Sequence, residues 1–468
     1  MQQHTSRQRL SRLALVCGLC ASEISSTPHP YSWLKDPTLF TPQRLFGEAW
    51  SPPNTLSYEP VLERARLHRE QDRDASARLA LGGYVMARLV DKLLVLENDA
   101  ESLEGFRWQL DAVRRHVGEL PGDSPETAHL AGVVDAVPPQ GRPTSSLWKS
   151  LTAYAYFLEH EGRLEEALEL LTLAARTQGP TTPPADFAGY ALFAGRLNRL
   201  LARWDTATAC YSAAEEAGDK MGDPVARLRG RLGQGAVYRG RGNLPMARTT
   251  AETVASEANT LGLRDVQAIA YGDLGAVYGL QGLRVEALEA LYKAFQFAQD
   301  PQQRMHALGD VACGLREIGA LEGARTAFTI VARSSASVRV RGNAELELMD
   351  LESTFGNRLG FERCRAAVEE YCGRMSPSML VDYHYKLGTG LWRFGQVARA
   401  HDAMTTGLAL AETHQLNAWY FKIEKALEEL RKPPEPTLVT HPESGLSHAP
   451  SIVQMEMELR EYATATVA

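Results

Sequence analysis

The sequence predicts an all-α chain: a right-handed α-solenoid of about seven antiparallel helix pairs, with an additional N-terminal helical region. Three observations predict it. From Ser145 to about Leu430 apolar residues recur at three- and four-residue steps, without sustained strand alternation. Small residues return at Ala167, Ala207, Ala247, Ala287, Ala324, Cys364 and Ala400, in steps of 40, 40, 40, 37, 40 and 36 residues. Four prolines, Pro184, Pro224, Pro301 and Pro377, stand 23 residues ahead of members of that series. Three of them directly follow Asp223, Asp300 and Ser376, and an Asp or Ser N-cap before a first-turn proline starts a helix.

The ends of the chain read differently. Residues 1–57 form a leader rich in proline from Pro28 onward. Its Arg7, Arg9 and Arg12 precede the short apolar run "LALVCGLCA", the layout of a weak secretory signal. Cys17 and Cys20 make a C-x-x-C with no second pair at zinc spacing, so they read as cysteines of an apolar segment. Residues 58–120 form the N-terminal helical region, 121–144 a Pro-rich loop and 145–413 the repeat array. "NAWYFKIEKALEELRK", 417–432, reads as a capping helix. Residues 433–468 are a linker and a short tail, "IVQMEMELREY", for which both a docked and an undocked state stay open.

Within the array each unit reads as helix A, a tight turn near Gly162, Gly242, Gly282, Gly319 or Gly395, then helix B. Twelve residues ahead of the small-residue series stand Ala155, Gly195, Gly235, Gly275, Ala312, Glu352 and Gly388. "LGAVYGLQGLRVEALEAL", 274–291, carries Gly275, Tyr278 and Ala287, "ARTAF" carries Ala324 and Phe328, and Gly388 pairs with Ala400. This pattern resembles the tetratricopeptide repeat, W-x2-L-G-x2-Y followed by A-x3-F. The long units are similar to those of kinesin light chains and bacterial repeat regulators. The resemblance implies that Gly and Ala are packing notches and that an inner helix-A face binds protein segments.

Composition excludes several classes. With net charge −7 among 468 residues and pI near 6, a general nucleic-acid affinity is not implied. Gly233/Gly235, Gly240/Gly242 and Gly388/Gly390 are fragments that never complete G-x-G-x-x-G. No P-loop, G-x-S-x-G or H-E-x-x-H occurs, and Glu165/Glu166 and Glu215/Glu216 read as solvated helix-B faces. The chain is therefore expected to be non-catalytic, without cofactor or metal.

The family geometry puts Asp273, Asp310 and Asp350 two residues before the glycine slot, with Lys386 there in the last unit. Small Ala276, Cys313, Ser353 and Thr389 lie beside them, while earlier units present Arg196, Arg199, Arg229 and Arg239. The expectation is a bipolar groove, arginines then aspartates, that holds a peptide with complementary ends. Changing the three aspartates together to alanine is then expected to weaken capture and leave helicity intact. The expected function is a protein- or peptide-binding scaffold with no stable membrane span and no direct nucleic-acid contact; self-association stays open. The alternatives are a peptide-sensing bacterial signalling or transcription-regulatory partner and an envelope assembly factor. The expected location is cytoplasmic, or exported if residues 1–25 act as a signal.

Overall fold

The structure, a computed structural model, describes residues 57–70, 74–97, 99–141, 143–177, 184–335, 337–370, 372, 375–414, 416–430 and 445–467. The leader with its C-x-x-C and most of the linker lie outside the described residues. Among the described residues there are twenty α-helices, one 3-10 turn and no strand. None of the helices is long and apolar enough to cross a membrane. The chain divides between Asn243 and Leu244 into two compact parts, inside the third unit, where the repeat spacing has no break.

The N-terminal part holds α1 (Glu59–Glu70), α2 (Asp74–Leu94), α3 (Ala100–Gly118), α4 (Pro125–Ala136), α5 (Ser145–His160), α6 (Leu164–Arg176), α7 (Pro184–Leu200), α8 (Trp204–Met221) and α9 (Pro224–Gly240). Helix α4 corrects the expectation of a loop over 121–144: Pro125 opens it, and Leu130, Val133 and Val134 bury one face. Helices α1 to α4 share a single apolar core with the first helix pair, α5 and α6.

An ion cluster crosses that core. Arg64 of α1 reaches Glu126 of α4 at 3.1 Å and Glu166 of α6 at 3.0 Å. Arg163 bonds the same two carboxylates at 2.8 Å, and the Tyr154 hydroxyl donates to Glu126 at 2.7 Å. Glu166, expected on a solvated face, is instead buried, because α1 lies over it and supplies Arg64. Burial pushes the Glu126 carboxyl up, but Arg163, Arg64 and the Tyr154 hydroxyl outweigh it and hold it at about 2.

The C-terminal part holds α10 (Leu244–Thr260), α11 (Arg264–Gln281), α12 (Arg284–Phe297), α13 (Pro301–Glu317), α14 (Leu321–Ser334), α15 (Val338–Thr354), α16 (Arg358–Glu369), α17 (Pro377–Arg393), α18 (Val397–Thr413), α19 (Asn417–Leu430) and α20 (Pro450–Val467). From α11 to α18 each odd helix packs on the next as an A/B pair, and α19 covers α18 at the end of the series. The helix starts follow the Asp/Ser-Pro signals. Asp223 accepts from the Val225 and Ala226 amides, Asp300 from Gln303 and Ser376 from Met379.

The packing notches are real contacts. A Cβ on Gly275 would stand 2.7 Å from the Leu291 side chain and 3.1 Å from the Ala287 carbonyl; on Gly195 it would meet the Tyr211 ring, and on Gly388 the Ala400 carbonyl at 3.0 Å. Gly235 is buried in α9, and Ala324 and Ala400 are fully buried. Tyr278, by contrast, is only partly buried and lies under the Arg248 guanidinium.

The sixth unit requires a new register. Helix α15 has 17 residues, as α13 does, starts behind the N-cap Ser337 and ends at Thr354, and its turn glycine Gly356 follows Gly319 by 37 residues. Its slots are therefore Met349 and Phe361, three residues ahead of Glu352 and Cys364. The glycine–alanine signal fails because two bulky, fully buried side chains stand where the other units carry small ones. Glu352 is buried for another reason: Arg325 at 2.7 Å and Asn357 at 2.5 Å hold its carboxylate.

Ala202 has φ 55° at the A–B turn where other units place glycine. Ala202→Gly should stabilise the N-terminal part by about 0.5–1 kcal/mol in urea unfolding, since alanine is strained there. Glu126 has a folded pKa near 2 against an ordinary 4.5, so its contribution is complete above about pH 4.5 and disappears as pH falls toward 2. On the order of 3 kcal/mol should be lost across that window. Glu126→Gln, measured by unfolding at pH 6 and pH 2.5, should flatten the acid dependence.

Candidate functional site

In the N-terminal part the A-helix face of α5, α7 and α9 gathers aromatic and cationic groups. Tyr156 and Phe193 stack with ring centres 4.0 Å apart and 7° between planes. The Arg196 guanidinium lies 5.4 and 4.9 Å from the two ring centres, and it pairs with Glu159 at 2.7 Å. Arg199 follows one turn later on α7; its Nε is buried without a hydrogen-bond partner. Arg229 sits near the start of α9, close enough to Arg196 to be repelled by it. Burial and that repulsion bring its guanidinium down to about 10, against the pull of Tyr156 and Asp223. Among the described residues neither Arg199 nor Arg229 forms an ion pair, whereas Asp223 is engaged as the cap of α9. Arg239 lies near the end of α9, partly buried.

The corresponding face of the C-terminal part is organised in the opposite way. Arg316 of α13 pairs with Glu347 and, at 3.3 Å, with Asp350 of α15. Lys386 of α17 bonds Glu347 at 2.8 Å and Asp382 at 2.7 Å. Arg393 bonds Asp350 at 2.7 Å and the Ser353 hydroxyl at 2.6 Å. Burial opposes the charge on Asp350, but Arg393, Arg316 and Lys386 hold its carboxyl below the usual range. Asp382 is pushed up by burial in spite of Lys386.

This network corrects the expected row of open aspartates. With the new register the slot in α15 belongs to Glu347, and Asp350 lies one turn beyond it. Asp350 and Lys386 are engaged by neighbouring helices, and Asp310 is only 3% exposed. Asp273 stays partly exposed on α11. The arginines and aspartates of the expected groove fall on the two separate parts. Sequence reasoning missed Arg316, Glu347, Asp382 and Arg393; the spacing of Ser337 and Gly356 was the signal that could have found Glu347. Among the described residues no three His, Cys, Asp or Glu side chains group to hold a metal ion.

Asp350→Ala should destabilise the C-terminal part by about 1–3 kcal/mol in chemical unfolding. That is less than a fully buried pair, because Arg316 and Arg393 keep part of their surface in water. The triple replacement of Asp273, Asp310 and Asp350 is therefore expected to lower stability through Asp350, so its helicity and its unfolding midpoint need separate measurement.

No family model and no curated protein matches the chain. Among solved structures it is similar to a Rap protein complexed with Competence and Sporulation Factor, at 13% identity over 75% of this chain and 99% of that one, TM-score 0.42. It is similar to the Rap conjugation gene regulator of the plasmid pLS20 in complex with the Phr* peptide, at 14% identity, 76% and 99% coverage, TM-score 0.43. A tetratricopeptide repeat protein from Parabacteroides merdae is similar at 15% identity, 61% and 99% coverage, TM-score 0.35. The assignment rests on the chain's own features: recurring 37- to 40-residue spacing, capped A helices, glycine turns and A/B pairs stacked in order. The fold is an all-α helical repeat built of tetratricopeptide-like helix pairs.

Proposed function

We propose that this chain is a non-catalytic scaffold that captures an acidic peptide or protein segment on the A-helix face of α5, α7 and α9. The observation that carries the reading is the contrast between two charged faces. In the C-terminal part the cations Arg316, Lys386 and Arg393 each have carboxylates from a neighbouring or the same helix. In the N-terminal part Arg199 and Arg229 are partly buried and have none among the described residues. A partly desolvated cation without a counter-ion is unfavourable in the empty protein, and an acidic ligand removes that penalty. Guanidinium forks suit carboxylates, and the Tyr156–Phe193 stack supplies an apolar platform beside them. The chemistry needed is recognition alone.

The test uses a fluorescein-labelled peptide of alternating Glu and Ala, beside its Gln and Ala counterpart, read by anisotropy at two salt concentrations. The Glu peptide should bind more tightly, and added salt should weaken it. Arg199→Met and Arg229→Met should each cost about tenfold or more in affinity, as loss of a charge-assisted bond implies. Arg229→Met should leave thermal stability unchanged or raised, because it deletes an uncompensated charge. Equal binding of both peptides, or wild-type affinity in both variants, would count against the reading.

A further inference from the structure

Helix α20 is placed where the end of a stack does not require it. The series is already closed by α19 against α18. After residues 431–444 the chain returns to α14 and α12, helices B of the fifth and fourth units, and α20 packs there. Its stripe is Ile452, Met455, Leu459 and Tyr462; the first three are buried, while Val453 and Met457 stay exposed.

The seat is shaped for a particular helix. Helix α14 has Ala320 at its N-cap, which supplies no side-chain acceptor. Glu456 of α20 supplies one instead: the Gly323 amide donates to its Oε1 at 3.0 Å. A Cβ at 323 would stand 2.5 Å from that oxygen and 2.8 Å from Glu456 Cγ, so glycine leaves the notch for the carboxylate. The Tyr292 hydroxyl donates to Glu458 at 2.6 Å. The Tyr462 ring meets Phe295 edge-on at 5.4 Å, with the Arg304 guanidinium 5.7 Å from its centre.

We propose that this B-face seat is a second protein-binding surface, which α20 fills in cis as a displaceable stand-in. Its occupant in trans is an amphipathic helix of another protein, with apolar residues at i, i+3 and i+7, an aromatic at i+10 and a carboxylate at i+4. Three features on α20 and its seat argue for displacement. Eighteen residues are ordered for three fully buried apolar side chains. An isolated helix of this length is marginal in water, so α20 depends on its seat. Its polar bonds lie at the rim, where water replaces them on release. The inference does not rest on the arginine face, which lies in the other part of the chain.

The probe is a fluorescein-labelled peptide of residues 449–465, titrated into full-length protein. Wild type should bind it weakly, because α20 competes at high effective concentration. Full-length Ile452→Asp/Leu459→Asp should bind it at least tenfold more tightly while keeping cooperative unfolding, and adding Gly323→Val should abolish that gain. A folded double variant that does not bind, equal affinity in wild type, or a gain insensitive to Gly323→Val overturns the proposal. Should the double variant fail to fold, Glu456→Gln replaces it; no gain in peptide affinity there overturns the proposal equally. Wild-type protein that scatters light as a dimer, and becomes monomeric in the released variant, would make the occupant a second copy and also overturns it.

Discussion

The glycine-bearing units depend on two helices coming closer than ordinary side chains allow. At Gly275 a single added carbon would run into Leu291 and the Ala287 carbonyl, and Gly195 and Gly388 meet the same limit. Close approach turns an amphipathic helix pair, which cannot bury its face alone, into a unit with a shaped edge for the next pair. The capped helix starts and left-handed turn glycines then fix where each face points. Where bulk is placed in the notch, at Met349 and Phe361, the helix lengths are kept but the spacing signal disappears.

Upon this apolar frame the two parts use charge for different ends. In the C-terminal part Arg316, Glu347, Asp350, Asp382, Lys386 and Arg393 tie three consecutive A helices together. In the N-terminal part the buried Arg64–Glu126–Arg163–Glu166 cluster joins the leading helices to the first repeat. Both are closed sets, in which every buried charge has an opposite within bonding distance. Arg199 and Arg229 differ from these clusters in having no ion pair among the described residues, while their neighbour Arg196 pairs with Glu159.

The fold was legible from residues with one conformational job. Prolines after Asp223, Asp300 and Ser376 gave helix starts, and Gly162, Gly242, Gly282, Gly319 and Gly395 gave turns, each with positive φ. Helix α4 was hidden because five prolines in 121–144 read as loop, although Ser124–Pro125 is the same start signal. Charges were far less legible. One sequence places Asp350 on a helix face but does not say which cations the next helices bring. Arg316 and Arg393 stand 34 and 43 residues away, so their pairing depends on stacking geometry. Glu166 was misread for the same reason, since the helix that covers it lies about a hundred residues earlier.

On the proposed function, Arg229, which has no ion pair among the described residues, also links occupancy to survival. A ligand that binds only the folded chain stabilises it by RT ln(1 + [L]/Kd), so saturation a hundredfold above Kd adds about 2.7 kcal/mol. An empty face with a buried cation that has no ion pair among the described residues would favour opening of the unliganded protein, and opened chains are what proteases remove. On the proposed function, the lifetime of the protein in a cell would then follow the concentration of its partner, through two arginines that have no ion pair among the described residues.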